Sequence, residues 1–447
     1  MKPKHILFNL LLLSSALGLS QETWTLDQCV AHALEHNLQI KNTVLDRESD
    51  QESYRQAIRD LLPSVSASTD YTIRYGRSAD PNTNDYVNTD FYSNNYSLGG
   101  SLDLFRGFQK LNSIRASKFI YQSTKEELLQ QKFLLAFRVM NAFYDIRFQE
   151  GLLANSLEQL QIARDNYETV SKKVELGLLA GADLYEAEAN LLGDQLLVTQ
   201  NRNLLATAKL VLIQEMNLEG TDDIILQESL DPLPEDGRDS LELDSLYQKA
   251  RSFVPLVKSQ EYLVDAAKKE LQASRGTLYP SLALVAGYGT SYFETNVDEN
   301  GNVIPFKTQF NDNTSKYVGA QLSIPISNGW SAHSKVKQQK IAYLKQKNAL
   351  EIQEQELFKI LQQLLQDQSS LITEYDQSRQ KVRAQELSFT IAQKRYEKGM
   401  INALELFQAK NLYGTAQNEN LEVSLRLKVN QKTLDFYRGL PVFNINP

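Results

Sequence analysis

"PSVSASTDYTIRYG", residues Pro63 to Gly76, decides the reading of this chain. Val65, Ala67, Thr69, Tyr71, Ile73 and Tyr75 fall on one face, and Ser64, Ser66, Ser68, Asp70, Thr72 and Arg74 on the other. Side chains alternate with period two along a strand, so this pattern predicts a long β-strand with one apolar face. Almost everything around it reads as helix. The question is what a long two-faced strand does in a helical protein.

Three more segments alternate in the same way. Tyr96, Leu98, Gly100, Leu102 and Leu104 oppose Ser97, Gly99, Ser101 and Asp103. Leu282, Leu284, Ala286, Tyr288 and Tyr292 oppose Ser281, Ala283, Val285, Gly287, Gly289 and Ser291. Val318, Ala320, Leu322, Ile324 and Ile326 oppose Gly319, Gln321 and Ser323. Polar loops, residues 76–90 and 294–316, join the strands of each pair. Each strand is about ten to twelve residues long, enough to cross a bilayer when tilted. The second face is mostly Ser, Gly and Thr, as the inner wall of a membrane barrel requires. Tyr75, Phe91, Tyr92, Tyr288, Tyr292 and Phe293 gather at the loop ends, where an aromatic girdle is expected. A soluble sandwich would instead set charged residues on its outer face.

The four strands belong to a duplication. "LLPSVSASTDY" (61–71) resembles "LYPSLALVAGY" (278–288), with Pro63 and Pro280 at the matching place. "ELGLLAGADLYEAE" (175–188) resembles "EKGMINALELFQAK" (397–410), where Gly177 and Gly399 correspond at nearly the same offset. Both pairs keep their order, as an internal repeat demands. Residues 21–216 are the expected first repeat and 241–447 the second, ending in a C-terminal tail. Between them, residues 217–240 hold eight acids against Arg238 and read as an acidic linker or insert.

The helices are too long for a globule. Residues 331–398 contain no Gly or Pro, and 108–176 are interrupted only by Gly151. Either stretch could run for about 100 Å as one helix. Leu350, Leu357, Leu364 and Leu371 repeat every seven residues, with Leu361, Tyr375 and Val382 at the partner positions. A narrow seam between polar flanks signals coiled-coil packing. Shorter helices are expected over 26–61, 182–216, 241–276 and 402–438. Each half thus reads helix, strand, strand, long helix, turn, helix.

The chain begins with Lys2, Lys4 and His5, the apolar run Ile6 to Leu13, and Gly18-Leu19-Ser20 before Gln21. This fits an export signal over residues 1–20. Its removal takes the net charge from −8 to −10, which disfavours nucleic-acid binding. Cys29 is the only cysteine, so no intrachain disulfide forms, and it reads as a buried helix residue.

Four strands cannot close a barrel, and open strand edges in lipid leave backbone groups unsatisfied. The chain must therefore join its strands to those of other copies. Two copies give eight strands and three give twelve, and physics alone does not choose.

The duplication, the "LLPSVSAS" and "LYPSLAL" strand starts, "LFRG" and "IPISNG" at the strand-to-helix exits, and the two glycine turns resemble the TolC-like outer-membrane efflux proteins. The resemblance covers nearly the whole chain after residue 20. It implies a mainly α fold with a membrane β part: a homotrimer sharing a twelve-stranded barrel and a twelve-helix periplasmic tunnel. It implies an outer-membrane exit duct for efflux or type I secretion. The tunnel tip would dock on a periplasmic adaptor and an inner-membrane pump. The 217–240 insert and C-terminal tail would form a belt around the helices. Gly177, Leu178, Gly399 and Met400 would be the adaptor-contacting tip. Asp183 and Glu405, each six residues after its turn glycine, would narrow the mouth, with Tyr396 holding it shut. Two positions depart from the family pattern: Ile401 stands where a basic partner is expected, and Gln408 where a further acid is. Asn402 and Glu405 also read as a capping box.

Competing readings are weaker. "HALEH" places His32, Glu35 and His36 in an inverted zinc-peptidase pattern, but no third ligand or catalytic context accompanies it. No Gly-rich phosphate loop or nucleophile elbow is present, so no enzyme and no cofactor are expected. A periplasmic scaffold or the adaptor itself would also carry heptads. An adaptor needs one hairpin and soluble β modules, whereas this chain has two hairpin turns and four membrane-length strands.

Overall fold

The computed structural model describes residues 23–79, 84–88, 90–227 and 242–445. The expected signal, residues 1–20, and the greater part of the acidic insert lie outside the described residues.

In chain order the elements are β1 (Thr23–Trp24), α1 (Leu26–His36), α2 (Leu38–Arg59), β2 (Ser64–Arg74), β3 (Arg77–Ala79), β4 (Tyr86–Asn88) and β5 (Phe91–Arg106). Next come α3 (Gln109–Glu175), α4 (Gly181–Met216), β6 (Ile225–Leu226), α5 (Leu243–Phe253) and α6 (Pro255–Gly276). The remainder is β7 (Ser281–Phe293), α7 (Phe306–Asp312), β8 (Ser315–Ser323), α8 (Ser331–Glu397) and α9 (Ala403–Tyr437). The two long helices α3 and α8 have 67 residues each, as the Gly- and Pro-poor stretches predict.

The expected helices over 26–61 and 241–276 are each broken. Asn37 leaves the helical region at ψ 125°, and its Oδ1 accepts hydrogen bonds from the amides of Gln39 and Ile40 at the start of α2. Val254 leaves it at ψ 121° because Pro255 follows and crowds the α conformation. Asn37 and Val254 are separated by the same interval as Pro63 and Pro280, so the duplication extends to the breaks.

The chain divides into two units. Residues 45–126 and 257–353 form one, which holds a four-stranded sheet in the order β2-β5-β7-β8, antiparallel throughout. Each repeat supplies two adjacent strands. The register brings the predicted apolar faces together. Ala67, Leu98, Tyr288 and Lys316 form one cross-strand row, in which the Lys316 ammonium lies 5.7 Å from the Tyr288 ring centre; Val65, Gly100, Ala286 and Val318 form the next, and Leu102, Leu284 and Ala320 a third. The opposite face carries rows such as Ser68, Ser97, Gly289 and Ser315. There Ser68 and Ser97 hydroxyls lie 2.7 Å apart.

Two details differ from the sequence reading. β5 starts at Phe91, five residues before the expected start at Tyr96. A bulge between Asp103 and Phe105 removes Leu104 from the alternation, so Phe105 stands opposite Leu282 on the apolar face. The loops are also partly ordered: β3 pairs with β4, and α7 sits within the second loop.

The other unit comprises residues up to 44, 127–256 and 354–447. Its core joins Cys29, Val30 and Ala33 of α1 to Leu135, Val139, Met140, Phe143 and Ile146 of α3 and Leu212 and Met216 of α4. Phe443 in the C-terminal tail packs into the same core. β1 pairs with β6 in parallel, so the start of the insert binds the start of the first repeat. On α8 the heptad residues Leu357, Leu361 and Leu371 are buried, as a coiled-coil seam requires.

Candidate functional site

The two helix reversals are built alike. After α3, the Gly177 amide donates to the Val174 carbonyl at 2.9 Å and the Leu178 amide to the Lys173 carbonyl at 2.8 Å. After α8, the Gly399 amide donates to Tyr396 and the Met400 amide to Arg395, both at 2.9 Å. These are paired Schellman closures, and each needs a left-handed residue. Gly177 has φ 71° and Gly399 φ 69°, which glycine adopts without steric cost. Leu178 and Met400 next to them are exposed.

The following helices start differently. Ala180 has no side-chain acceptor, so Asp183 caps α4 by reaching back to the Ala180 amide at 3.0 Å. In α9 the order is reversed: Asn402 Oδ1 accepts from the Glu405 amide at 2.9 Å. Only that half of the expected Asn402–Glu405 box is formed among the described contacts. Glu405 remains exposed.

Tyr396 meets the first repeat. The Lys173 ammonium lies 5.4 Å from its ring centre. Burial, and then the negative charges of Asp183 and Glu186, push its phenol above the usual tyrosine range. The structure therefore brings together Tyr396 and Asp183, two of the three predicted constriction residues. Lys173 and Glu186 join them without having been singled out. Their signal was weak, because charged residues are common on any solvated helix face.

One buried charge was also missed. Lys410 is 2% exposed and ion-pairs with Asp194. Its signal was legible: it follows Leu406 and Phe407 at helical spacing, where an apolar residue belongs.

The register divides the six girdle residues. Tyr92, Tyr288 and Tyr292 lie on the apolar face, and the Tyr92 and Tyr292 hydroxyls are 3.4 Å apart. Phe91 and Phe293 belong to the opposite face, because odd positions of β5 and β7 pair with the Ser64 row. Phe91 is buried there under Arg74. Tyr75 is exposed just beyond β2. Tyr71, Tyr96, Phe306 and Phe310 complete the aromatic cluster on the apolar side.

The histidines of "HALEH" stack at 4.1 Å. Their Nδ1 atoms are engaged by the carbonyls of Met216 and His32. Among the described residues no group of three His, Cys, Asp or Glu could hold a metal. No described helix is long and apolar enough to cross a membrane.

The profile of the outer membrane efflux protein family matches residues 30–217 and 246–440. The chain belongs to that family. Family membership places it in the outer membrane. It is 23% identical over 279 residues to the probable efflux pump outer membrane protein TtgC of Pseudomonas putida, a match covering 59% of this chain. The chain spans about half of that relative's length, 54%. It is 23% identical over 348 residues to outer membrane protein TolC of Vibrio cholerae, covering 76% of this chain and 74% of TolC. The crystal structure of CusC shares the fold, with a TM-score of 0.78, 18% identity, and coverage of 92% of this chain and 91% of CusC.

Proposed function

We propose that three copies of this chain form an outer-membrane exit duct for efflux or type I secretion, passively conducting cargo delivered by a periplasmic adaptor and an inner-membrane pump. One observation carries this reading. An apolar face, interrupted by Asn94 and Lys316, runs across four antiparallel strands, while among the described residues β2 and β8 each keep an unpaired edge. Unpaired edges in lipid are prohibitive, so β8 of one copy joins β2 of the next. The direction alternates correctly at that seam, and three copies give an even-numbered closed barrel.

Residues 21–216 and 241–447 act as the two repeats, linked by 217–240. The helical unit supports association too: Tyr185, Leu192 and Leu196 on α4 and Leu387 and Ile391 on α8 are large, apolar and exposed. Such stripes call for a partner surface. Gly177, Leu178, Gly399 and Met400 form the adaptor-binding tip, and Asp183, Tyr396 and Glu405 the constriction above it.

The test is extraction of the mature protein from outer membranes in mild detergent, followed by size analysis. A trimer is expected; a water-soluble monomer would overturn the reading. Ala67→Arg or Leu284→Arg, each in the middle of the apolar face, should destabilise the inserted protein by about 2–4 kcal/mol.

A further inference from the structure

The heptad seam of α8 is open at one point. Leu357, Leu361 and Leu371 are buried, but Leu364 between them is only half-buried. A groove of about 640 Å³ lies over it, walled by α3, α8 and α9. All three walls belong to the helical unit. A groove of this size accommodates a small organic molecule.

Its floor is apolar. Phe148 comes from α3, Leu364 and Leu371 from α8, and Leu425 and Val429 from α9. Leu364 and Leu371 are one heptad apart, and Leu425 and Val429 one helical turn, so each helix presents a stripe to the groove.

Its rim is acidic. Each helix contributes one carboxylate, Asp145, Asp367 and Glu422, against the single guanidinium of Arg426. That guanidinium is already matched by acids on both sides, Glu422 at 3.9 Å and Glu374 at 4.0 Å. Asp145 and Asp367 are held by neutral donors instead, the side-chain amides of Gln149 at 3.3 Å and Gln363 at 2.8 Å. The lining therefore joins an apolar floor to an excess of negative charge.

The wall also carries a polar atom of its own. Asn430 is 7% exposed, and its Oδ1 has no hydrogen-bond partner among the described residues. Its Nδ2 donates to the Leu364 carbonyl at 3.2 Å, which fixes the amide beside the groove. A buried acceptor without a donor is costly, and a ligand N–H removes that cost.

These features select one kind of occupant. A carboxylate or phosphate would be repelled by the rim. A neutral apolar molecule would cover the carboxylates without pairing them, at a desolvation cost. A primary or secondary ammonium ion on an apolar body satisfies the floor, the rim and Asn430 together.

We propose that this groove is a binding site for amphiphilic organic ammonium ions. The apolar body lies against Leu364, Leu425 and Val429, and the cationic head sits among Asp145, Asp367 and Glu422. The site is additional to the passive duct and does not depend on it.

Three matched probes test this: dansylcadaverine, which carries a primary ammonium, its neutral N-acetyl form, and anionic dansyl-aminocaproic acid. Fluorescence anisotropy is read on the full protein in phosphatidylcholine nanodiscs, with empty nanodiscs subtracted. Saturable binding of one dansylcadaverine per chain is expected, with the neutral and anionic probes weaker by about tenfold or more. An Asp367→Asn, Glu422→Gln double variant should bind about tenfold more weakly. Both positions reach solvent, and circular dichroism checks that the fold is kept. A Glu299→Gln, Asp312→Asn variant removes the same charge from the other unit and should bind as the parent does. Equal binding of all three probes overturns the proposal, and so does full affinity in the Asp367→Asn, Glu422→Gln variant. Binding by isolated chains but not by trimers would show that a neighbouring copy covers the groove, and overturns it too. A chain that remains a water-soluble monomer overturns the duct reading, while its dansylcadaverine affinity still decides the groove.

Discussion

Lys410 of α9 and Asp194 of α4 form an ion pair buried between the two repeats. The Lys410 ammonium also donates to the Gln159 carbonyl of α3 at 3.4 Å and lies 4.7 Å from the Phe407 ring centre. Three helices thus share one cation. A buried pair contributes little net stability, but breaking it strands a charge.

Lys410→Met or Asp194→Leu alone should therefore destabilise the helical unit by about 3–5 kcal/mol. The double variant should recover most of that loss. Denaturation in guanidinium followed by far-UV circular dichroism measures this. A neutral single variant would show that the pair is solvated.

The turn glycines should matter through backbone conformation alone, because among the described residues nothing lies within 4 Å of a Cβ built on Gly177 or Gly399. Replacement by Ala should cost about 1–2 kcal/mol at each site, and replacement by Asn less. Val at both sites should stop export while trimers persist on native gels. Export at the normal rate would remove these turns from the docking tip.

Glu405 and Asn402 can be separated. Asn402 supplies the cap of α9, so Asn402→Ala should cost about 1 kcal/mol of stability. Glu405→Gln should leave stability unchanged and lower cation selectivity in planar bilayers, together with block by multivalent cations. Unchanged selectivity with a lower melting temperature would make Glu405 a structural residue.

Tyr396 predicts an alkaline effect. Its phenol is raised above the ordinary value of 10.0 by burial and by Asp183 and Glu186. Below pH 10 both folded and unfolded chains carry the neutral phenol, and no effect is expected. As pH rises from 10 toward the raised value, only the unfolded chain ionises, so the folded state loses stability. Tyr396→Phe should abolish that increment, read as the difference between the two pH–stability curves.

Cys29 is fully buried, and burial pushes its thiol up to about 12. The reactive species is the thiolate, so the folded protein should resist maleimide labelling at pH 8. Labelling should appear at the rate of unfolding. Fast labelling of native protein would place Cys29 outside the core.

Local pattern carried much of the architecture. The alternation from Val65 to Ile73 and its three counterparts defined the strands and their faces. The absence of Gly and Pro from 331–398 defined a 67-residue helix to within a residue at each end. Gly177 and Gly399 marked both reversals, since a helix that stops needs a left-handed residue. These features depend on a residue and its near neighbours, so the sequence by itself determined them. Strand register, the Leu104 bulge, the division of the girdle that sends Phe91 and Phe293 to the other face, and the meeting of Lys173 with Tyr396 depended on contacts between distant segments. Lys410 shows the difference most sharply. Its position in "LELFQAK" marks a polar residue on an apolar face. Only the packing of α9 against α3 and α4 supplies Asp194 and the Gln159 carbonyl. A buried charge is tolerated only where distant partners converge on it, and that convergence is a property of the folded chain.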